Sequence, residues 1–162
     1  MNSTAPVLIG YDGSDAARRA VHQTAKLFGS RPALVVTVWE PALPYDVGMV
    51  VAPASEGIVP PPVLNDEEVQ EIDDKLHARA NRIAQHGVEL AKSLGLKAEA
   101  LVVADEGINV AETIVDVARE RDVAAIVIGS RGLTGLRAML EGSTSSPVLK
   151  HSPCPVLTVH ED

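Results

Sequence analysis

Ala124-Ala125-Ile126-Val127-Ile128-Gly129-Ser130-Arg131-Gly132 passes from an unbroken apolar run into paired glycines, and Gly142-Ser143 follows after nine intervening residues. An apolar run without polar alternation predicts a central parallel strand buried on both faces. The glycine at its end marks the carboxyl edge, where open α/β sheets take their ligands. Glycine there lets a ligand approach the backbone closely. Gly142 and Ser143 open a new polar-to-apolar segment, predicted as a short helix from Ser143 to about Lys150. Their N–H groups and the serine hydroxyl then stand at a helix N-terminus, which favours phosphate oxygens. The combination suits a ligand of the nucleotide type.

The flanking sequence alternates short apolar runs with helical segments, without an internal sequence repeat. Val7-Leu8-Ile9-Gly10-Tyr11 is a short strand closed by Asp12-Gly13-Ser14, with Ser14 as the cap of a helix that carries Ala17, Ala20, Val21, Thr24 and Phe28 and ends at Gly29. Leu34–Val38 is a second, β-branched strand. From Pro41 to Pro62 proline and glycine forbid regular structure, which predicts a loop over about 41–64 that is a lid, a partner-binding loop or a disordered insertion. Asn65 and Glu68 form a capping-box pattern for a helix to Leu94, closed by Gly95, whose expected stripe is Val69, Ile72, Leu76, Ile83, Leu90 and Leu94. Ala98–Ala104 is a third strand. Asn109 and Glu112 start a helix with Ala111, Ile114, Val115 and Ala118 inside. After Ser152-Pro153-Cys154-Pro155, Val156–Val159 makes the last strand. Strands alternating with helices predict right-handed crossovers and a five-stranded parallel sheet with helices on both faces, a Rossmann-like α/β sandwich. We expect residues 1–162 to form one domain.

Composition narrows the function. The 162 residues are 46% hydrophobic and only 2% aromatic, so the core must be built from aliphatic side chains and alanine, as suits a sheet between helices. A formal net charge of −8 argues against nucleic-acid and anionic-membrane partners, which require basic patches. No apolar run spans a bilayer and no signal-peptide pattern opens the chain; with Cys154 as the single cysteine, a cytoplasmic location is expected. The five histidines show no metal-ligand spacing, so no protein metal cage is expected.

Two common phosphate loops are absent: there is no Gly-Lys-Ser/Thr, and no Gly-x-Gly-x-x-Gly follows the first strand. The Gly-x2-Gly-x9-Gly-Ser pattern of Gly129, Gly132, Gly142 and Ser143 instead resembles the nucleotide-binding signature of the universal stress protein family. The likeness extends to Val7–Ser14, Gly129–Gly135 and Ser152–Val156, and covers the chain apart from the proline-rich loop. It implies ATP as ligand, with Asp12 near the nucleoside and Val38 at the adenine. Gly129 and Gly132 would then flank the ribose and α-phosphate, and Gly142 and Ser143 the outer phosphates, while Arg131 and Thr144 line the groove. Between Arg131 and His151 the sole acidic residue is Glu141, against Arg131, Arg137 and Lys150, so an anion is locally welcome in an acidic chain. Mg²⁺ would bridge the phosphates.

Duller roles compete at single residues. Asp12 serves equally as an Asx-turn former, Ser143 to Ser146 as helix N-terminal residues, and Cys154 as a small apolar filler. No general base, water-positioning glutamine or arginine finger is recognisable, so the expectation is an ATP-binding stress-response sensor with at most slow hydrolysis or autophosphorylation. The alternative is a dimeric interaction protein with a vestigial groove, whose 41–64 loop binds an unidentified protein. The Val156–Val159 strand lies at a sheet edge, and in the family that edge commonly pairs across a twofold axis. A homodimer through it is therefore expected.

Overall fold

The computed structural model describes residues 5–42, 65–105, 109–129, 148 and 151–159. The order is β1 (Val7–Gly10), α1 (Asp15–Phe28), β2 (Pro32–Trp39), α2 (Asp66–Ser93), β3 (Lys97–Ala104), α3 (Val110–Glu120), β4 (Ala125–Gly129) and β5 (Val156–Val159). All five strands pair in parallel in the order β3-β2-β1-β4-β5. The expected parallel α/β sheet is present, and each expected strand is found within two residues of its predicted ends. The 41–64 loop beyond Ala42 lies outside the described residues, as does the 143–150 helix apart from Val148, which is helical and buried.

Side-chain alternation along the strands builds two cores. Val7, Ile9, Tyr11, Val35 and Val127 face α1 and α2, whereas Leu8, Val36, Ile126 and Ile128 face α3 and Val148. β1 and β4 are buried at every position, which is why they read as continuous apolar runs rather than alternating ones.

The helix ends follow local chemistry. The Ser14 hydroxyl accepts from the Ala17 N–H at 3.1 Å to cap α1. Asn65 accepts from the Glu68 N–H while the Glu68 carboxylate accepts from the Asn65 N–H, both at 2.9 Å, completing the expected box. Such a cap is worth about 1 kcal/mol. At the far end of α2, Gly95 has φ of 89°, its N–H donates to Lys92 O, and that of Leu96 donates to Ala91 O. This paired closure needs a left-handed residue, which glycine supplies without strain.

One expectation is corrected. The stripe of Val69, Ile72, Leu76, Ile83, Leu90 and Leu94 is only half-buried; the fully buried seam of α2 is Ala80, Ala84, Gly87, Val88 and Ala91. A Cβ on Gly87 would lie 2.7 Å from Tyr11 Cδ1 and 2.8 Å from Val35 Cγ1, so small residues set how closely this helix approaches the sheet. The larger apolar residues pack along its flanks. With 28 residues α2 is about 42 Å long, against roughly 26 Å for an eight-residue strand, so its N-terminal half overhangs the carboxyl edge of β2 and β3. Full burial along it begins only at Ala80.

Candidate functional site

The chain moves from β1 to β2 and β3 on one side, then crosses to β4 and β5 on the other. The helices that follow β1 and β3 pack on opposite faces, and the direction of winding reverses between β1 and β4. In open α/β sheets this reversal point is the usual ligand position. Val38 lies two residues beyond the Gly10↔Val36 pair and Gly129 two beyond the Ile9↔Val127 pair, so Asp12, Val38 and Gly129 gather along one rim.

The turn after β1 is tightly organised. Tyr11 keeps contact with β2 after the strand has ended: its N–H donates to Val36 O at 2.8 Å and its carbonyl accepts from the buried Thr37 hydroxyl at 2.8 Å. Asp12 Oδ1 then accepts from the Ser14 N–H at 2.9 Å in an Asx turn, with Gly13 at φ of 84°. The turn-forming role of Asp12 is thus real. It also holds a half-buried carboxylate at the rim, beside the N-terminus of α1. Val38 is half-buried and packs on the α3 side of the sheet.

Gly129 has a steric requirement of its own. A Cβ there would stand 2.4 Å from the carbonyl carbon of Ala16 and 2.5 Å from its oxygen, so the first turn of α1 rests directly on the end of β4. Glycine at this position is explained by helix-strand contact alone, before any ligand is considered. Arg131, Gly132, Gly142, Ser143 and Thr144 lie outside the described residues.

Sequence reasoning missed the support beneath this turn. Tyr11 is wholly buried, its ring lies against Gly87, and its hydroxyl is 2.7 Å from His86 Nδ1. Burial raises the phenol pKa above its ordinary value, and Arg18 pulls it partly back. At neutral pH the phenol is protonated, and its hydroxyl shares a hydrogen bond with His86 Nδ1. The two residues are 75 positions apart, and no local pattern announces the pair. Among the described residues, no three His, Cys, Asp or Glu side chains converge to hold a metal ion, and no helix is long and apolar enough to cross a membrane.

The described rim presents the half-buried Asp12 carboxylate and the aliphatic side chain of Val38. Comparison with known proteins agrees with this architecture. Residues 4–160 match the universal stress protein family profile. The chain is 31% identical over 155 residues to universal stress protein YxiE of Bacillus subtilis (strain 168), spanning 94% of this chain and 97% of that one. Among solved structures, it resembles the universal stress protein from Archaeoglobus fulgidus in complex with dAMP, with a TM-score of 0.56, 25% identity, and coverage of 96% and 97%. It also shares its fold with a universal stress protein in complex with cAMP, with a TM-score of 0.63, 23% identity, and coverage of 99% and 100%. The chain belongs to the universal stress protein family.

Proposed function

We propose that this chain binds an adenine nucleotide, ATP with Mg²⁺, in the crevice at the carboxyl ends of β1 and β4 and acts as a stress-response sensor or switch. The observation that carries the reading is the strand order, which puts the reversal point between those two strands and brings Asp12, Val38 and Gly129 to its rim. The dAMP complex of the Archaeoglobus relative supports the ligand class. In this reading Asp12 accepts hydrogen bonds from the ribose hydroxyls and Val38 lies against the base. Gly129 and Gly132 flank the ribose and α-phosphate. Gly142 and Ser143 offer N–H groups and a hydroxyl to the outer phosphates, and Arg131 and Thr144 line the groove. Mg²⁺, when bound, neutralises phosphate charge. Ligand occupancy is the signal, and turnover is at most slow. The chain acts in the cytoplasm as one domain, and a homodimer forms through β5, which among the described residues pairs with β4 alone.

Isothermal titration of purified protein with ATP and Mg²⁺ tests the assignment. Dissociation constants of roughly micromolar order are expected, with loss of binding in Gly132→Val and Gly142→Val variants whose circular dichroism is unchanged. Absent binding, or binding untouched by both substitutions, refutes it.

A further inference from the structure

The overhang of α2 leaves a concavity of about 390 Å³ on the face of the sheet opposite Val38. Its floor is Trp39, Val102 and Ala104, at the carboxyl ends of β2 and β3, and its wall is Asp73, Asp74 and His77 of α2. The Trp39 and His77 rings lie 5.4 Å apart at 45°. Trp39 is the chain's single tryptophan, and it is half-buried, with part of its surface in the concavity. Between 66 and 77 the sequence carries six carboxylates and one lysine, and that lysine, Lys75, is already paired with Glu71 at 2.6 Å.

The helix dipole accounts for Asp66, Glu67 and Glu68 in the first turn but fades before the third, where Asp73 and Asp74 stand. Asp73 Oδ1 accepts from the Ala42 N–H at 2.7 Å, which pins the chain leaving β2 against α2 and keeps a carboxylate at the wall. Asp74 Oδ1 accepts from exposed Gln70, a neutral donor, and among the described residues Asp74 forms no ion pair. An indole face beside carboxylates suits a cation, and a guanidinium most of all, because it stacks on the ring while donating to the acids. Residues 43–64, which join the two sides of the concavity in sequence, contain Asp46 and Glu56 but no lysine, arginine or histidine. The charge-complementary occupant must therefore come from outside this segment.

We propose that the concavity walled by Trp39, Asp73, Asp74 and His77 is a docking site for an arginine-bearing basic segment of a partner protein, separate from the nucleotide crevice. One arginine stacks on Trp39, and neighbouring basic residues follow the acidic N-terminal turns of α2.

The emission of the single tryptophan reports occupancy directly. The full chain is titrated with an acetylated, amidated tetra-arginine peptide and with its citrulline counterpart, which is similar in shape but uncharged. A saturable change in Trp39 emission with the arginine peptide alone is expected. It should weaken at least about tenfold in Asp73→Asn/Asp74→Asn, as loss of charge-assisted hydrogen bonds implies, and persist in saturating Mg²⁺ and ATP. Asp74→Asn alone, at an exposed position, serves if the double variant fails to fold, and should weaken the response in the same direction. The proposal is overturned by no saturable response, an equal response to the citrulline peptide, a response unchanged in the variants, or displacement by nucleotide. If Trp39 is shielded from acrylamide in the free chain and unresponsive to peptide, the chain itself fills the concavity and the proposal falls.

Discussion

Replacing Gly129 with alanine probes the contact between α1 and β4. The added Cβ would meet the Ala16 carbonyl carbon at 2.4 Å, its oxygen at 2.5 Å and its Cβ at 2.8 Å. Carbon atoms in ordinary contact are about 3.5–4.0 Å apart, so the first turn of α1 must move by about 1 Å or more. That turn is held by the Ser14 cap and by the Asx turn at Asp12, so the displacement strains both. Overpacking of this kind costs about 3 kcal/mol, the upper part of its usual range because backbone must yield. The lower entropy of the unfolded alanine chain offsets about 0.4–1 kcal/mol. The net loss is about 2 kcal/mol, or a fall in Tm of about 4–8 °C for a chain this long. Urea unfolding followed by circular dichroism measures it in the absence of nucleotide. Adding Ala16→Gly removes only the 2.8 Å contact and leaves the two backbone contacts, so no rescue is expected. Unchanged stability in Gly129→Ala would refute the steric argument and return the requirement for glycine to a ligand.

Two further substitutions test the support beneath the rim. Gly87→Ala gains about 1 kcal/mol of helix propensity but drives a Cβ to within 2.9 Å of two Tyr11 ring atoms and of Val35 Cγ1. A net destabilisation of about 1–2 kcal/mol in urea is expected, and a more stable variant would show that the seam is looser than described. For Tyr11, burial raises the folded pKa above its ordinary value of 10.0, so in alkali the folded state retains a proton that the unfolded state has lost. Stability therefore falls as pH rises above the unfolded value, and this part of the slope should vanish in Tyr11→Phe. Urea midpoints from about pH 8 to about pH 11 check it, and identical slopes in the two proteins would contradict it.

Helices, strands and their ends were legible in the chain because they rest on interactions only a few residues long. The Asn65 box, the Ser14 and Asn109 caps, the closure at Gly95 and the apolar runs of β1 and β4 all stand as read. The adjacency of β1 and β4 was also anticipated, since alternating strands and helices leave few permitted sheet orders. The buried seam of α2 was not. Periodicity weights large apolar residues, whereas the closest approach to the sheet selected alanine and glycine.

By itself the sequence determined the elements, their parallel arrangement and the family, because spacing, capping and glycine punctuation act locally and leave a visible pattern. Only the tertiary structure decided that Gly129 makes room for Ala16, that Tyr11 reaches His86, and that Trp39 floors a concavity walled by carboxylates. These contacts join residues tens of positions apart through steric fit between strands and helices, and distance of that kind leaves no periodic trace in a chain.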